Sequence, residues 1–250
     1  MSDSGEKGST PKRRAVILAG GFGTRVQHLL PGIPKPMALV AGRPFMEWVI
    51  RFLGRQGIEE VILSTGYLAR AVSAHIKQIR IDGVDIRCSA ERSALGTAGG
   101  FLNAIRDEKN TSDPWLVCNG DSLVLADLNS MYAALKDPAV QAVVVGVRIA
   151  DTSRYGSLEL GEGDLLRGFL EKRCGSGLIN AGMYLFRDNL IDQFPAYRPL
   201  SFEMDVFPYF LTRQIKIRLW PVTAPFLDIG TEETIKQAED FISSNMVHFA

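Results

Sequence analysis

Leu18-Ala19-Gly20-Gly21-Phe22-Gly23-Thr24-Arg25 follows the apolar run 15–19 and is answered by Pro34-Lys35-Pro36. The run reads as a buried strand. The glycines after it let backbone N–H groups approach a phosphate chain with no Cβ in the way. Leu18, Gly20, Gly21, Gly23 and Thr24 are the candidates for that cradle, while Arg25 adds a planar fork for phosphate oxygens and Lys35 a mobile point cation. A glycine turn after a strand needs no ligand; the two cations beyond it tilt the reading toward a nucleotide pocket. A Walker loop is excluded because Thr24-Arg25, not Lys-Ser or Lys-Thr, follows Gly23. The dinucleotide fingerprint is excluded by the missing third glycine in Gly21-Phe22-Gly23-Thr24-Arg25-Val26.

Working outward, β-branched apolar runs at 61–64, 84–88, 115–118 and 141–147 alternate with helix-like stretches at 44–55, 68–77, 97–106 and 128–135. The rhythm predicts an α/β, Rossmann-like three-layer sandwich: a mostly parallel mixed sheet covered by helices, with ligands at the carboxyl ends of its strands. After Val147 the pattern changes. Runs 157–160 and 166–170 flank Gly161-Glu162-Gly163-Asp164, which predicts an added antiparallel hairpin. Run 179–186 reads as a further strand, Ser201 as the cap of a helix over 202–211, and Thr231 as the cap of a last helix. Residues 1–14 are rich in Ser, Gly and Lys and read as a disordered tail before one domain spanning 15–250.

The 250 residues carry no net formal charge, which argues against a nucleic-acid or membrane-surface partner. Cys88, Cys118 and Cys174 are widely spaced and form no zinc or disulfide pattern, and no apolar stretch reads as a signal or span. A cytoplasmic setting is expected. His28, His75 and His248 lack metal spacing and read as surface or packing residues.

Candidate chemistry lies at strand ends. Asn119-Gly120-Asp121 follows the strand 115–118, and Asp228 ends Phe226-Leu227-Asp228 beside Gly230. Two carboxylates plus substrate phosphates make an ordinary Mg²⁺ shell, so Asp121 and Asp228 are the metal candidates, although an Asp at a strand end also serves as a turn residue. Glu171-Lys172 can be a solvated ion pair. Asn180-Ala181-Gly182 puts an amide and two small residues inside a strand, suiting either a ligand against the backbone or a bulge. The segment Glu91-Arg92-Ser93-Ala94-Leu95-Gly96-Thr97-Ala98-Gly99-Gly100 opens a helix with small residues that suit a flat base, and Thr97 can also cap that helix.

In this order the motifs resemble the sugar-1-phosphate nucleotidyltransferases, and the resemblance covers nearly the whole chain after Arg14. It implies transfer of a nucleotidyl group from a nucleoside triphosphate to a sugar 1-phosphate, with Mg²⁺ as cofactor, release of pyrophosphate and no covalent enzyme intermediate. It assigns Mg²⁺ to Asp121 and Asp228, the leaving pyrophosphate to Arg25, the reacting phosphates to Lys35, and the sugar phosphate to Lys172. Gly120, Gly156, Glu171, Asn180 and Gly182 fall to the sugar; Gly96 and Thr97 join the glycine loop and Glu91 in holding the nucleotide.

Glu91 occupies the position that faces the base edge, where thymidine- and uridine-using members carry Gln. A carboxylate accepts only, and guanine offers donors at N1 and N2, which implies GTP. Within the family the likeness is greatest to enzymes acting on D-glycero-α-D-manno-heptose 1-phosphate for capsule, S-layer or other surface glycans. Ala98 departs toward mannose-1-phosphate guanylyltransferases, which stay as the alternative. Members often form dimers or tetramers. A catalytically silent NDP-sugar-binding regulatory subunit is the alternative of another class, although it would be expected to lose Arg25, Lys35 or a metal Asp.

Overall fold

The computed structural model describes residues 12–21, 23–24, 26–108, 114–170 and 174–250. Residues 1–11, Arg25, Glu171 and Lys172 lie outside the described residues. In chain order the strands are β1 (Arg14–Ala19), β2 (Leu39–Val40), β3 (Arg43–Pro44), β4 (Glu60–Thr65), β5 (Asp85–Ala90), β6 (Trp115–Asn119), β7 (Ser122–Val124), β8 (Val140–Ile149), β9 (Ser157–Leu160), β10 (Leu166–Leu170), β11 (Gly177–Phe186), β12 (Lys216–Val222) and β13 (Phe226–Asp228). The α-helices are α1 (Phe45–Arg55), α2 (Ala69–Ile76), α3 (Thr97–Ile105), α4 (Leu128–Ala133), α5 (Phe207–Thr212) and α6 (Glu232–Ser244).

Among the described residues nine strands make the main sheet, with β10-β9-β11-β6-β1-β4-β5 in order and β8 joining β11 to β12. β1 pairs in parallel with β4 and β6, β4 with β5, and β8 with β12. The antiparallel partners of β11 are β6, β8 and β9, and β10 is antiparallel to β9. Following these pairings, only β10 and β11 run against the other strands, so the sheet is mostly parallel with the expected hairpin added. Val16, Ile17, Ile62, Leu63, Leu116 and Val117 are fully buried, so the central strands are apolar on both faces, as helix-covered parallel strands must be.

β1 takes in Arg14, one residue earlier than the tail reading allowed. The helix expected over 202–211 begins as a π-helical turn, Phe202–Val206, before α5; Ser201 does cap it, accepting from Met204 N–H at 3.3 Å. Thr97 is not the cap of α3. Its hydroxyl accepts from the Phe202 N–H at 3.0 Å, and the Ala98 and Gly99 N–H groups donate to the Leu200 carbonyl at 2.9 and 3.1 Å. A carbonyl from far along the chain thus satisfies the orphan donors that a local side chain was expected to satisfy. The sequence reading passed over β12, where Ile217 and Leu219 are buried between more exposed neighbours; that two-residue alternation was its signal, and Pro221 obscured it.

Candidate active site

Two cavities open along the carboxyl ends of the central strands. The smaller, about 330 Å³, is lined by Leu18, Gly20, Gly21 and Gly23 from the loop after β1, by Glu91, Gly96 and Thr97 before and at α3, and by Ser64, Lys35 and Asp121. Among the described residues the glycine loop is followed not by an α-helix but by short 3₁₀ turns, Gln27–Leu29 and Lys35–Met37. The second turn delivers Lys35. The larger cleft, about 750 Å³, is lined by Thr24, Lys35, Asp121, Tyr155, Asn180 and Asp228 among others. Gly23, Lys35, Asn119 and Asp121 line both.

At that junction Lys35 Nζ donates to Asp121 Oδ2 at 2.6 Å. Asp121 leads into β7, whose antiparallel partner β13 ends at Asp228, and the Ile229 N–H donates to the Asp121 carbonyl at 2.9 Å. The strand pair therefore sets both carboxylates on one cleft wall. Asp228 Oδ1 accepts from Gly230 N–H at 2.8 Å, and Oδ2 accepts from the Tyr155 hydroxyl. Arg154 approaches Asp228 at 3.8 Å. Burial, followed by the bond to Asp228, pushes the Tyr155 phenol above its ordinary pKa, which keeps it a donor.

In the smaller cavity Glu91 is gripped at both oxygens: Ser64 Oγ donates to Oε1 at 3.2 Å and the Leu95 N–H to Oε2 at 3.1 Å. A Cβ on Gly100 would stand 2.5 Å from Glu91 Oε1, so the glycine in α3 is what makes room for the carboxylate. Each oxygen keeps a lone pair for a further donor. Burial raises the Cys88 and Cys118 thiols, so neither is a thiolate nucleophile.

Every nucleotide candidate among the described residues lines one of the two cavities, with Thr24 on the larger. Asn180 and Asp228 line the cleft as well. Gly120, Gly156 and Gly182 line neither. Gly120 N–H donates to the Leu18 carbonyl at 2.9 Å, and the Gly156 carbonyl accepts from Asn180 N–H at 3.4 Å, so both hold backbone in place. Gly182 has φ +69° and lies at the bulge where β11 slips against β8; a Cβ there would stand 2.2 Å from Asn119 Nδ2. Its smallness makes room for Asn119. Arg25, Glu171 and Lys172 lie outside the described residues. Sequence reasoning assigned no role to Asn119, Arg154 or Tyr155; Asn119 stood in a motif already singled out, and Tyr155 beside Gly156 before the hairpin.

Glycine loop, strand-end carboxylates and adjoining cavities define a nucleotide-binding α/β protein with room for a second substrate. The chain belongs to the nucleotidyl transferase family, whose model matches residues 14–245. It is 33% identical to a D-glycero-α-D-manno-heptose 1-phosphate guanylyltransferase of Campylobacter jejuni, over 88% of this chain and 96% of that one. It is 34% identical to a mannose-1-phosphate guanylyltransferase of Mycobacterium tuberculosis, over 91% of this chain but 64% of that longer relative. Among solved structures, HddC of Yersinia pseudotuberculosis complexed with GMP-PN superimposes with a TM-score of 0.81 at 30% identity, covering 91% of this chain and 98% of that one. The protein is a nucleotidyltransferase. Among the described residues no helix is long and apolar enough to cross a membrane.

Proposed function

We propose that the protein transfers a guanylyl group from GTP to D-glycero-α-D-manno-heptose 1-phosphate, giving GDP-heptose and pyrophosphate. The observation that carries the reading is the pair of cavities sharing Lys35 and Asp121: a nucleoside triphosphate and a sugar phosphate held in them meet at one place. The guanylyltransferase relatives support the base and the donor, and the heptose relative, matched over almost its whole length, supports the sugar. Mannose 1-phosphate is the second reading, supported by an equally similar relative.

In this reading the nucleotide lies along Leu18, Gly20, Gly21 and Gly23, its base near Gly96 and Thr97, and Glu91 accepts from the guanine N1 and N2 donors. Uracil or thymine would set a carbonyl against the same carboxylate, leaving a repulsive buried contact. The sugar-phosphate oxygen attacks the α-phosphorus in line with the departing pyrophosphate. Positioning and charge neutralisation supply most of the rate in such transfers. Lys35 leans on the phosphates, exchanging part of its contact with Asp121 for them. Arg25 holds the pyrophosphate, and Glu171 and Lys172 hold the sugar phosphate and sugar together with Asn180.

The site suits Mg²⁺. Asp121 and Asp228 face one cleft, the described residues form no cluster of three or more potential ligands, and Asp121 already holds a cationic group, the Lys35 ammonium. Two carboxylates completed by substrate phosphates match this ion better than a cage made wholly of protein. Bound there, it would neutralise phosphate charge in the transition state. The test is pyrophosphate release with each common nucleoside triphosphate crossed with heptose, mannose and glucose 1-phosphates. GTP with the heptose phosphate should dominate. Dominance of mannose phosphate would replace the sugar, and binding without turnover throughout would leave a silent NDP-sugar-binding subunit.

A further inference from the structure

Ser201-Phe202-Glu203 is a motif that the two cavities leave unused: Glu203 lines neither. Its carboxylate nevertheless connects to the cleft through a chain of hydrogen bonds. Tyr184 Oη donates to Glu203 Oε1 at 2.9 Å, and Asn180 Nδ2 donates to Tyr184 Oη at 2.7 Å. At the other end of the amide, Gly182 N–H donates to Asn180 Oδ1 at 3.0 Å. Ser201 Oγ donates to Glu203 Oε2 at 3.0 Å and so anchors the chain at its start.

The direction of every bond follows from chemistry. A carboxylate accepts only, so the Tyr184 hydroxyl must spend its one proton on Glu203 and meet Asn180 as an acceptor. That fixes the NH₂ end of the amide toward Tyr184 and the oxygen toward the Gly182 N–H. A flipped amide would oppose an N–H to the Gly182 N–H and a carbonyl to the phenol oxygen. Only the second Nδ2 proton and the second Oδ1 lone pair are left for a ligand.

We propose that Glu203 and Tyr184 are positioning residues that lock the Asn180 amide to present one donor and one acceptor to the sugar. Each sugar hydroxyl both donates and accepts, so two neighbouring hydroxyls match such a pair. The inference rests on the reading of the larger cleft as the sugar site and names how that site is oriented. Tyr184 is fully buried, with Phe202 and Phe207 ring centroids each 5.1 Å away. That packing denies its hydroxyl water as a substitute partner. Burial, followed by the Glu203 charge, raises the phenol far above its ordinary pKa, so the relay keeps its direction across the working range.

The experiment compares Tyr184→Phe, Glu203→Ala and Glu203→Gln in the full chain. In the first two, KM for the sugar 1-phosphate should rise about tenfold while KM for the nucleoside triphosphate stays within about twofold, the effect of losing one ligand-orienting bond. Gln keeps an acceptor for Tyr184 and should restore the sugar KM. A merely structural role would lower thermal stability without separating the two KM values, and that result overturns the proposal. A second readout needs no turnover: the ¹⁵N-resolved side-chain amide pair of Asn180, assigned by its disappearance in Asn180→Ala. It should be protected from exchange in the wild type and in Glu203→Gln, and lose protection in Tyr184→Phe and Glu203→Ala. An amide pair indifferent to both losses overturns the relay even if the protein acts on no sugar phosphate, whereas failure of the wild type to turn over any sugar 1-phosphate overturns the parent reading alone.

Discussion

Backbone and small residues from short local segments wall much of the 330 Å³ cavity, whereas side chains brought from distant stretches wall the 750 Å³ cleft. In the first, the loop after β1 and the segment before α3 carry most of the lining, and each is a strand-to-next-element connection in a parallel sheet. In the second, Tyr155 from the β8–β9 connection meets Asp228 from β13, and Asn180 is held by Tyr184 and Glu203. A phosphate chain common to all triphosphates suits fixed backbone donors. Discrimination among sugars that differ by one hydroxyl requires oriented side chains, each needing a partner of its own.

Substitutions where the two compartments meet should cost most. Asp121→Asn and Asp228→Asn should each cost about a thousandfold in turnover with the circular-dichroism spectrum unchanged; near-normal turnover in either would remove that carboxylate from the site. Gly182→Ala comes next. It forces a side chain into a left-handed conformation and into Asn119, so it should destabilise the fold by roughly 2 kcal/mol or more and lower Tm by about 4–8 °C, as read by thermal unfolding. Asn119 lines both cavities, so KM for both substrates should rise in that variant. An effect on one substrate alone would place Gly182 on that substrate's side.

Smaller changes sharpen the contrast. Glu91→Gln should narrow the preference for GTP over UTP by about tenfold to a hundredfold in kcat/KM, since the amide both donates and accepts. Sugar KM should stay constant, which confines the effect to the smaller cavity. Tyr155→Phe removes one donor from Asp228 and should raise the Mg²⁺ concentration for half-maximal activity about tenfold. With the phenol pKa raised by burial and by Asp228, Tyr155 in the metal-free protein should stay protonated up to about pH 10, read as no difference in phenolate absorbance between the wild type and Tyr155→Phe below that pH.

The same difference decides what could be read from residues alone. The glycine loop, Lys35 in Pro34-Lys35-Pro36 and Asp228 at the end of an apolar run are local patterns, and they led to the lining of both cavities. The alternation of strands and helices gave the sheet its parallel half, and Gly161-Glu162-Gly163-Asp164 its hairpin. What escaped depends on contacts between residues far apart in sequence. Leu200 caps α3 in place of Thr97, Tyr155 reaches Asp228, and Gly182 yields space to Asn119. None of these has a sequence period, because each is fixed only by tertiary contacts: Leu200 meeting the start of α3, β13 pairing with β7 beside the β8–β9 connection, and β11 lying beside β6.

The proposed transfer brings a sugar-phosphate oxygen and a nucleotide α-phosphorus together across the two compartments in a single direct displacement. Its most direct test is the stereochemical course with a nucleoside triphosphate carrying a chiral α-thiophosphate. One in-line displacement predicts inversion at that phosphorus in the nucleotide-sugar product. Retention would require a second displacement through a nucleotidylated protein group and would rule out direct transfer between the two compartments.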